Sequence, residues 1–233
     1  MNYKKIFLIA LMCATISCAS AKIKKLVILH TNDTHSCVMP LKTTLKDTLV
    51  AGRGGFLRRL EMVKEQRAAN PQLLLFDSGD FSQGSPYYSM FRGDVEIGLM
   101  NMMGYDAATI GNHEFDFGIE NMARIFKMAE FPIVCANYDF SGTCLEGIVK
   151  PYTIIKRGGM KIGVFGLAPE LDGLVSAKNC PGVKYLDPVE KAQQTADYLA
   201  SICAEVTRAY DVDGIHLDYI RYPEELPKLK TLA

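Results

Sequence analysis

Apolar positions along the chain come in short runs that alternate with amphipathic stretches of helical period. Residues 25–30 (KLVILH) read as an apolar strand, and residues 55–68 follow as a helix that sets Phe56, Leu60 and Val63 on one face. Residues 72–76 form a second buried strand, residues 94–103 a helix stopped by Gly104, and residues 105–110 a third strand. The alternation continues with a helix over 118–129 and an extended segment over 131–136. Apolar runs at 152–155 and 161–165, separated by Arg157-Gly158-Gly159, predict a hairpin. Near the C-terminus, Asp187-Pro188-x-Glu190 supplies an N-cap, a first-turn proline and a partner three residues after the cap. From there Val189, Ala192, Ala196, Leu199, Cys203, Val206 and Tyr210 make one stripe, so a single amphipathic helix is expected to run on to about residue 210. Parallel strands with crossover helices and an antiparallel addition mean an α/β layered fold. No internal repeat or low-complexity linker interrupts it.

Polar residues concentrate where these strands end, which is where open α/β sheets place their sites. The first strand is followed by Thr31-Asn32-Asp33-Thr34-His35, the second by Asp77-Ser78-Gly79-Asp80-Phe81-Ser82-Gln83-Gly84-Ser85, and the third by Gly111-Asn112-His113-Glu114-Phe115-Asp116. Carboxylate, imidazole and carboxamide are thus delivered to one edge. A mixed oxygen and nitrogen donor set suits Zn, Mn or Fe, and two divalent ions sharing one carboxylate fit phosphoester hydrolysis. Singly, each residue has an ordinary structural use: Asp33 and Asp80 in turns, Asn112 at a helix start, His113 as a core hydrogen-bonder. Three sets in order on successive strands carry the metal reading instead. His30, at the end of the first strand and outside these motifs, is expected to be a buried, hydrogen-bonded histidine.

Composition narrows the partners. The 233 residues are 48% hydrophobic and 22% charged, a globular make-up that excludes disordered and fibrous classes. Lys+Arg and Asp+Glu are equal at 26 each, with no dense basic stripe, so a nucleic-acid polymer is not the expected partner. The one long apolar run, residues 6–16 behind Lys4 and Lys5, is too short to span a bilayer. With Ala19-Ser20-Ala21 after it, residues 1–21 read as a secretory signal, and the mature chain is expected to start at Lys22, periplasmic, with a net charge of about −2. Acylation at Cys18 is the rival processing route. Of the seven cysteines, Cys37, Cys135, Cys144, Cys180 and Cys203 lie beyond the signal. No C-x-x-C pair occurs, so neither a zinc ribbon nor a disulfide scaffold is indicated; Cys135 and Cys144 could pair across a loop, but singly buried thiols are the expectation.

Asp33-x-His35, Gly79-Asp80-x-x-Gln83-Gly84-Ser85 and Gly111-Asn112-His113-Glu114 resemble the metallophosphoesterase (calcineurin-like) signature. The longer segments ILHTNDTH, DSGDFSQGSPYY and GYDAATIGNHEFDFG are similar to the N-terminal domain of bacterial 5′-nucleotidase/UDP-sugar hydrolases, over about residues 24–198. The resemblance implies a layered α/β/β/α fold, incomplete on its C-terminal side, over residues 22–198. It implies that Asp33 and His35 bind one metal, Asn112 binds a second, Asp80 bridges them, and His113 and Asp116 form the catalytic dyad. The implied substrate is a small nucleotide or other phosphoester, and the implied cofactors are two divalent ions, Zn, Mn or similar.

Beyond the hairpin the pattern of that family stops. Its later ligand segments, of Ser-His-Leu-Gly and Gly-His-x-His type, do not occur, and His216 is the sole histidine after His113. Residues 199–224, with Asp213-Gly214-Ile215-His216-Leu217-Asp218, resemble a glycosyl-hydrolase-like (GH10-like) TIM-barrel family, so residues 199–233 read as a foreign tail that continues the helix. About 30 residues cannot build a barrel of roughly 250. The second metal is left with Asp80 and Asn112, fewer than the three protein ligands usual at a catalytic zinc, so it is expected to bind weakly and activity to be impaired. The alternative is a remnant that binds metal or nucleotide without turnover; glycan hydrolysis by the tail ranks below both.

Overall fold

The computed structural model of the chain describes residues 24–207, with side chains described to residue 201. Three parallel strands, β1 (Ile28–Thr31), β2 (Leu74–Asp77) and β3 (Ala107–Ala108), lie side by side in that order. Parallel bridges Ala108 to Ile133 and Val134 to Lys150 carry the sheet through the extended segment 131–136. Helix α1 (Phe56–Ala69) crosses from β1 to β2, buries Phe56 and Val63, and leaves Leu60 partly covered. Helix α2 (Pro86–Phe91), capped by Ser85, and helix α3 (Asp94–Met103), ended by Gly104 in the left-handed region, cross from β2 to β3. Helix α4 (Gly118–Phe126) follows a 3₁₀ turn at His113–Phe115. Phe81, Ile97, Phe115, Met122 and Ile125 close the core between these elements, each no more than 1% exposed. This is a mixed α/β fold, and all three parallel strands point their C-terminal ends at one edge.

A second region is antiparallel. Strands β5 (Tyr152–Arg157) and β6 (Met160–Phe165) pair over their full length about Gly158 and Gly159, whose φ angles of 58° and 73° make the two-residue turn that suits strand twist. Strands β4 (Tyr138–Asp139) and β7 (Lys184–Tyr185) form a separate short pair. Helix α5 (Pro188–Thr207) begins where expected: the Asp187 carboxylate accepts the Glu190 N–H at 2.8 Å. It passes residue 199 without a break and docks on the hairpin, Leu199 7% exposed against Gly163 and the Tyr198 ring 5.3 Å from that of Tyr152. A Cβ at Gly163 would sit 3.0 Å from the Leu199 methyls, so glycine makes room for the leucine.

Several expectations need correction. The third strand is two residues long because Asp106 turns its carboxylate to the Leu75 N–H and pairs with Arg157, while the chain leaves the sheet at Gly111. Helix α4 stops at Phe126, its last turn tightening into i to i+3 bonds at Met128 and Ala129. His30 is exposed, at the end of β1, which is the edge strand of the three-stranded sheet. Cys135 is buried and Cys144 exposed, and both are free thiols, as are Cys37 and Cys180. Residues 1–21, expected to be an export signal, with Cys18, and the segment 213–223 with His216 lie outside the described residues. Among those described, no helix is long and apolar enough to cross a membrane.

The strand ends are tied together below the surface. Asp77, 3% exposed at the end of β2, accepts the Thr31 hydroxyl at 2.6 Å and the Gly79 N–H at 2.9 Å, and Thr31 in turn meets the Tyr105 hydroxyl at 2.6 Å. Burial pushes the Asp77 carboxyl from 3.8 to about 7, against the pull of those two hydrogen bonds. A raised acid binds more protons folded than unfolded, so this contribution to stability falls as pH climbs from about 4 to about 7 and is level above.

Two outcomes follow for folding. Leu199→Ala should cost about 2–3 kcal/mol in urea unfolding, whereas Val189→Ala, at a position 77% exposed, should stay within about 0.5 kcal/mol. With chelator present, Asp77→Asn should flatten the stability profile between pH 4 and 7, since asparagine keeps the acceptor for Gly79 and a donor for Thr31. An unchanged slope would mean that Asp77 does not titrate there.

Candidate metal centre

The loops after β1 and β2 run against each other through backbone bonds. The N–H groups of Asp33, His35 and Ser36 donate to the carbonyls of Gly79, Asp80 and Phe81 at 2.9–3.0 Å. This lacing forces unusual backbone on the residues it presents: Asp33, His35 and Asp80 have φ of 49°, 42° and 53°, in the left-handed region that side chains avoid. Strain of this kind persists only where surrounding structure imposes it, and it concentrates at sites of function. One ligand atom from each of Asp33, His35 and Asp80 lies within 4.8 Å of the other two. The His35 Nε2 is 3.6 Å from an Asp33 oxygen, the two side chains being 35% and 36% exposed, while Asp80 is 4% exposed at the floor.

The loop after β3 closes the third side. Glu114, fully buried, accepts the N–H groups of Asp80 at 3.0 Å, Ser82 at 3.2 Å and Gly111 at 2.6 Å. Burial, with the Asp80 carboxylate next, raises its carboxyl from 4.5 to about 7 against the three donors. Asp80 Oδ1 accepts the His113 N–H at 2.9 Å. Glycine is required where these loops touch: a Cβ on Gly111 would fall 2.1 Å from Asp80 Oδ1, and one on Gly79 2.4 Å from the Gly111 nitrogen.

His113 stands at the rim, its ring in an edge-on contact with His35 at 5.2 Å between centroids. Its Nδ1 lies 3.2 and 3.3 Å from the two Asp116 oxygens, and Asn179 holds the Asp116 carbonyl at 3.0 Å. Asn112 sits at the start of the 3₁₀ turn, where its carboxamide makes no capping bond. Its backbone neighbour His113 touches Asp80, which puts Asn112 on the same loop as the carboxylate floor. Asp33, His35 and Asp80 therefore meet in one cluster, His113 and Asp116 pair beside it, and Asn112 lies between the two groups in sequence.

The donor set fits a divalent ion. Two carboxylates and an imidazole are hard-to-borderline ligands of the kind that zinc, manganese and iron take. Among the described residues the buried His35 Nδ1 has no hydrogen-bond partner, and the ring rests edge-on to that of His113. Sequence reasoning left Glu114 without a role although it stood inside the quoted motif. Its flanks, His113 and Phe115, carry no local pattern that marks it as buried; only the contacts between loops do.

Comparison with known proteins agrees with this geometry. The calcineurin-like phosphoesterase profile matches residues 26–188. A snake venom 5′-nucleotidase from Gloydius brevicauda is 36% identical over 197 residues, covering 82% of this chain and 33% of that protein. A 5′-nucleotidase from Bos taurus is 32% identical, covering 83% of this chain and 35% of that protein. The crystal structure of a 5′-nucleotidase precursor from Thermus thermophilus superposes with a TM-score of 0.69 at 34% identity, over 76% of this chain and 35% of that one. The chain spans about a third of the length of the curated relatives it matches. On its fold and these matches together, the chain belongs to the calcineurin-like phosphoesterase family.

Proposed function

We propose that this chain carries the metal-binding and proton-donating half of a 5′-nucleotidase-type phosphoesterase. The observation that supports it most is the convergence of Asp33, His35 and Asp80 within 4.8 Å beside the His113–Asp116 pair. Asp33, His35 and Asp80 would hold one divalent ion, and Asp80 with Asn112 a second. Such ions lower the pKa of water toward neutrality and offset the charge of phosphate oxygens. His113 has Nδ1 fixed on Asp116, which leaves Nε2 to donate a proton to the phosphoryl or leaving oxygen. Asn179, by holding the Asp116 carbonyl, positions that pair. Glu114 positions the floor, because the backbone of Asp80 hangs from its carboxylate. The substrate class, a 5′-nucleotide, rests on the names of the relatives. Export, with cleavage before Lys22, rests on the Ala19-Ser20-Ala21 pattern, and mass spectrometry of the secreted product should find Lys22 at the N-terminus.

Metal content measured with p-nitrophenyl phosphate hydrolysis tests the assignment. One ion per chain should be tightly bound, since the second has two assigned protein ligands against the three usual at a catalytic zinc. Asp80→Asn should remove most of the metal and nearly all hydrolysis. His113→Asn should keep the metal and slow turnover by roughly 10²–10⁴-fold, the usual worth of a general acid. Equal metal loss from both variants would contradict these roles.

A further inference from the structure

We propose that Glu96, in the first turn of α3, is the positioning residue for His35, holding the imidazole at its ion through the Ser36 hydroxyl; this rests on the metal reading above. An imidazole that ligates through one ring nitrogen is ordinarily oriented by a hydrogen bond at the other. The His35 Nε2 lies 3.6 Å from Asp33, and its buried Nδ1 has no hydrogen-bond partner among the described residues. Besides its edge-on contact with His113, the ring depends on the backbone that carries it. That backbone is left-handed at two successive residues, with φ of 42° at His35 and 49° at Ser36, a conformation that lasts only where other contacts impose it.

The Ser36 side chain supplies those contacts. It is 3% exposed and donates its one hydrogen to Glu96 Oε1, so the 2.5 Å contact with Ser85 Oγ is donated by Ser85. One hydroxyl thus ties the loop after β1 both to α3 and to the loop after β2, in addition to the backbone rungs between the two loops. The same two loops press together at the ligand itself, where a Cβ on Gly84 would fall 2.6 Å from the His35 carbonyl oxygen. Glu96 is 5% exposed, and its Oε2 has no hydrogen-bond partner among the described residues. Burying a carboxylate for a single hydroxyl bond is a poor route to stability, and an apolar side chain of similar size would serve packing better. What the carboxylate does hold is the residue next to a ligand. Glu96 thereby stands to His35 as Glu114 stands to Asp80, each a buried acid outside the ligand cluster that fixes the chain on which one ligand is mounted.

Titration of the full chain with Co(II), a coloured stand-in for the divalent ion, followed in the visible band that reports ligand geometry and paired with thermal melts in chelator, tests this. Glu96→Ala should raise the Kd for Co(II) roughly 10–100-fold and alter the band at saturation. Glu96→Gln, whose amide oxygen still accepts the Ser36 hydrogen, should recover most of that loss. Ser36→Ala should match Glu96→Ala, and the double variant should lose no more than either alone, because both act through one hydrogen bond. Ser36→Ala deletes a single oxygen and carries the test where Glu96→Ala does not fold. A lower Tm in chelator with Kd and band unchanged would mark a role in stability alone and overturn the proposal, as would additive losses from the two alanines. A parent chain that takes up no Co(II) would overturn the metal reading itself, and this proposal with it.

Discussion

Three backbone N–H groups from two different loops converge on one buried carboxylate, Glu114, and the site exists because they do. Asp80 and Ser82 come from the loop after β2 and Gly111 from the loop after β3, so the carboxylate spans more than thirty residues of sequence. An N–H left unpaired in that position would cost about 1–3 kcal/mol. Beside this one acceptor Gly111 comes close to Asp80, and the His113 N–H is directed at the Asp80 carboxylate. The loop after β1 then takes its shape from the loop after β2 through the three rungs at Gly79, Asp80 and Phe81. Placement of the candidate ligands is therefore inherited from loop to loop, starting at Glu114, which lies outside their cluster.

Much of this is legible in the sequence, for identifiable reasons. The short apolar runs mark the strands and the polar motifs that follow mark their ends, and helix α3 occupies the expected residues up to its stop at Gly104. What escapes is set by tertiary contacts. An inside position for His30 assumes a covered face; an edge strand leaves it out. The short helix at Pro86–Phe91 and the β4–β7 pair carry too few residues for any period to register. The network from Ser85 through Ser36 to Glu96 joins residues 49 and 60 positions from Ser36, and no local pattern announces such a chain. Glu96 reads from sequence as an ordinary first-turn acid of α3, solvated and favourable to the helix dipole.

Two kinds of carboxylate divide the work. Asp33, at the rim and partly solvated, is placed to meet an ion, while Asp77 and Glu114 are buried acceptors whose raised affinity for protons reflects their surroundings. Their difference comes from depth, since all lie within the same strand-end region. The same depth explains why the buried pair holds backbone while the rim residue faces solvent.

The parallel pairing of β1 with β2 joins residues 46 positions apart, and β2 with β3 residues 31 apart. Contacts this distant along the chain must close long loops before they return any energy, which slows folding relative to a local hairpin such as β5–β6. The hairpin, turning on two glycines, can form within microseconds of being free to do so. The parallel sheet cannot. During that interval the apolar strands β1 and β2 are unpaired and exposed, so the segments that later present the candidate ligands are also the ones most open to chaperones and to pairing with other copies.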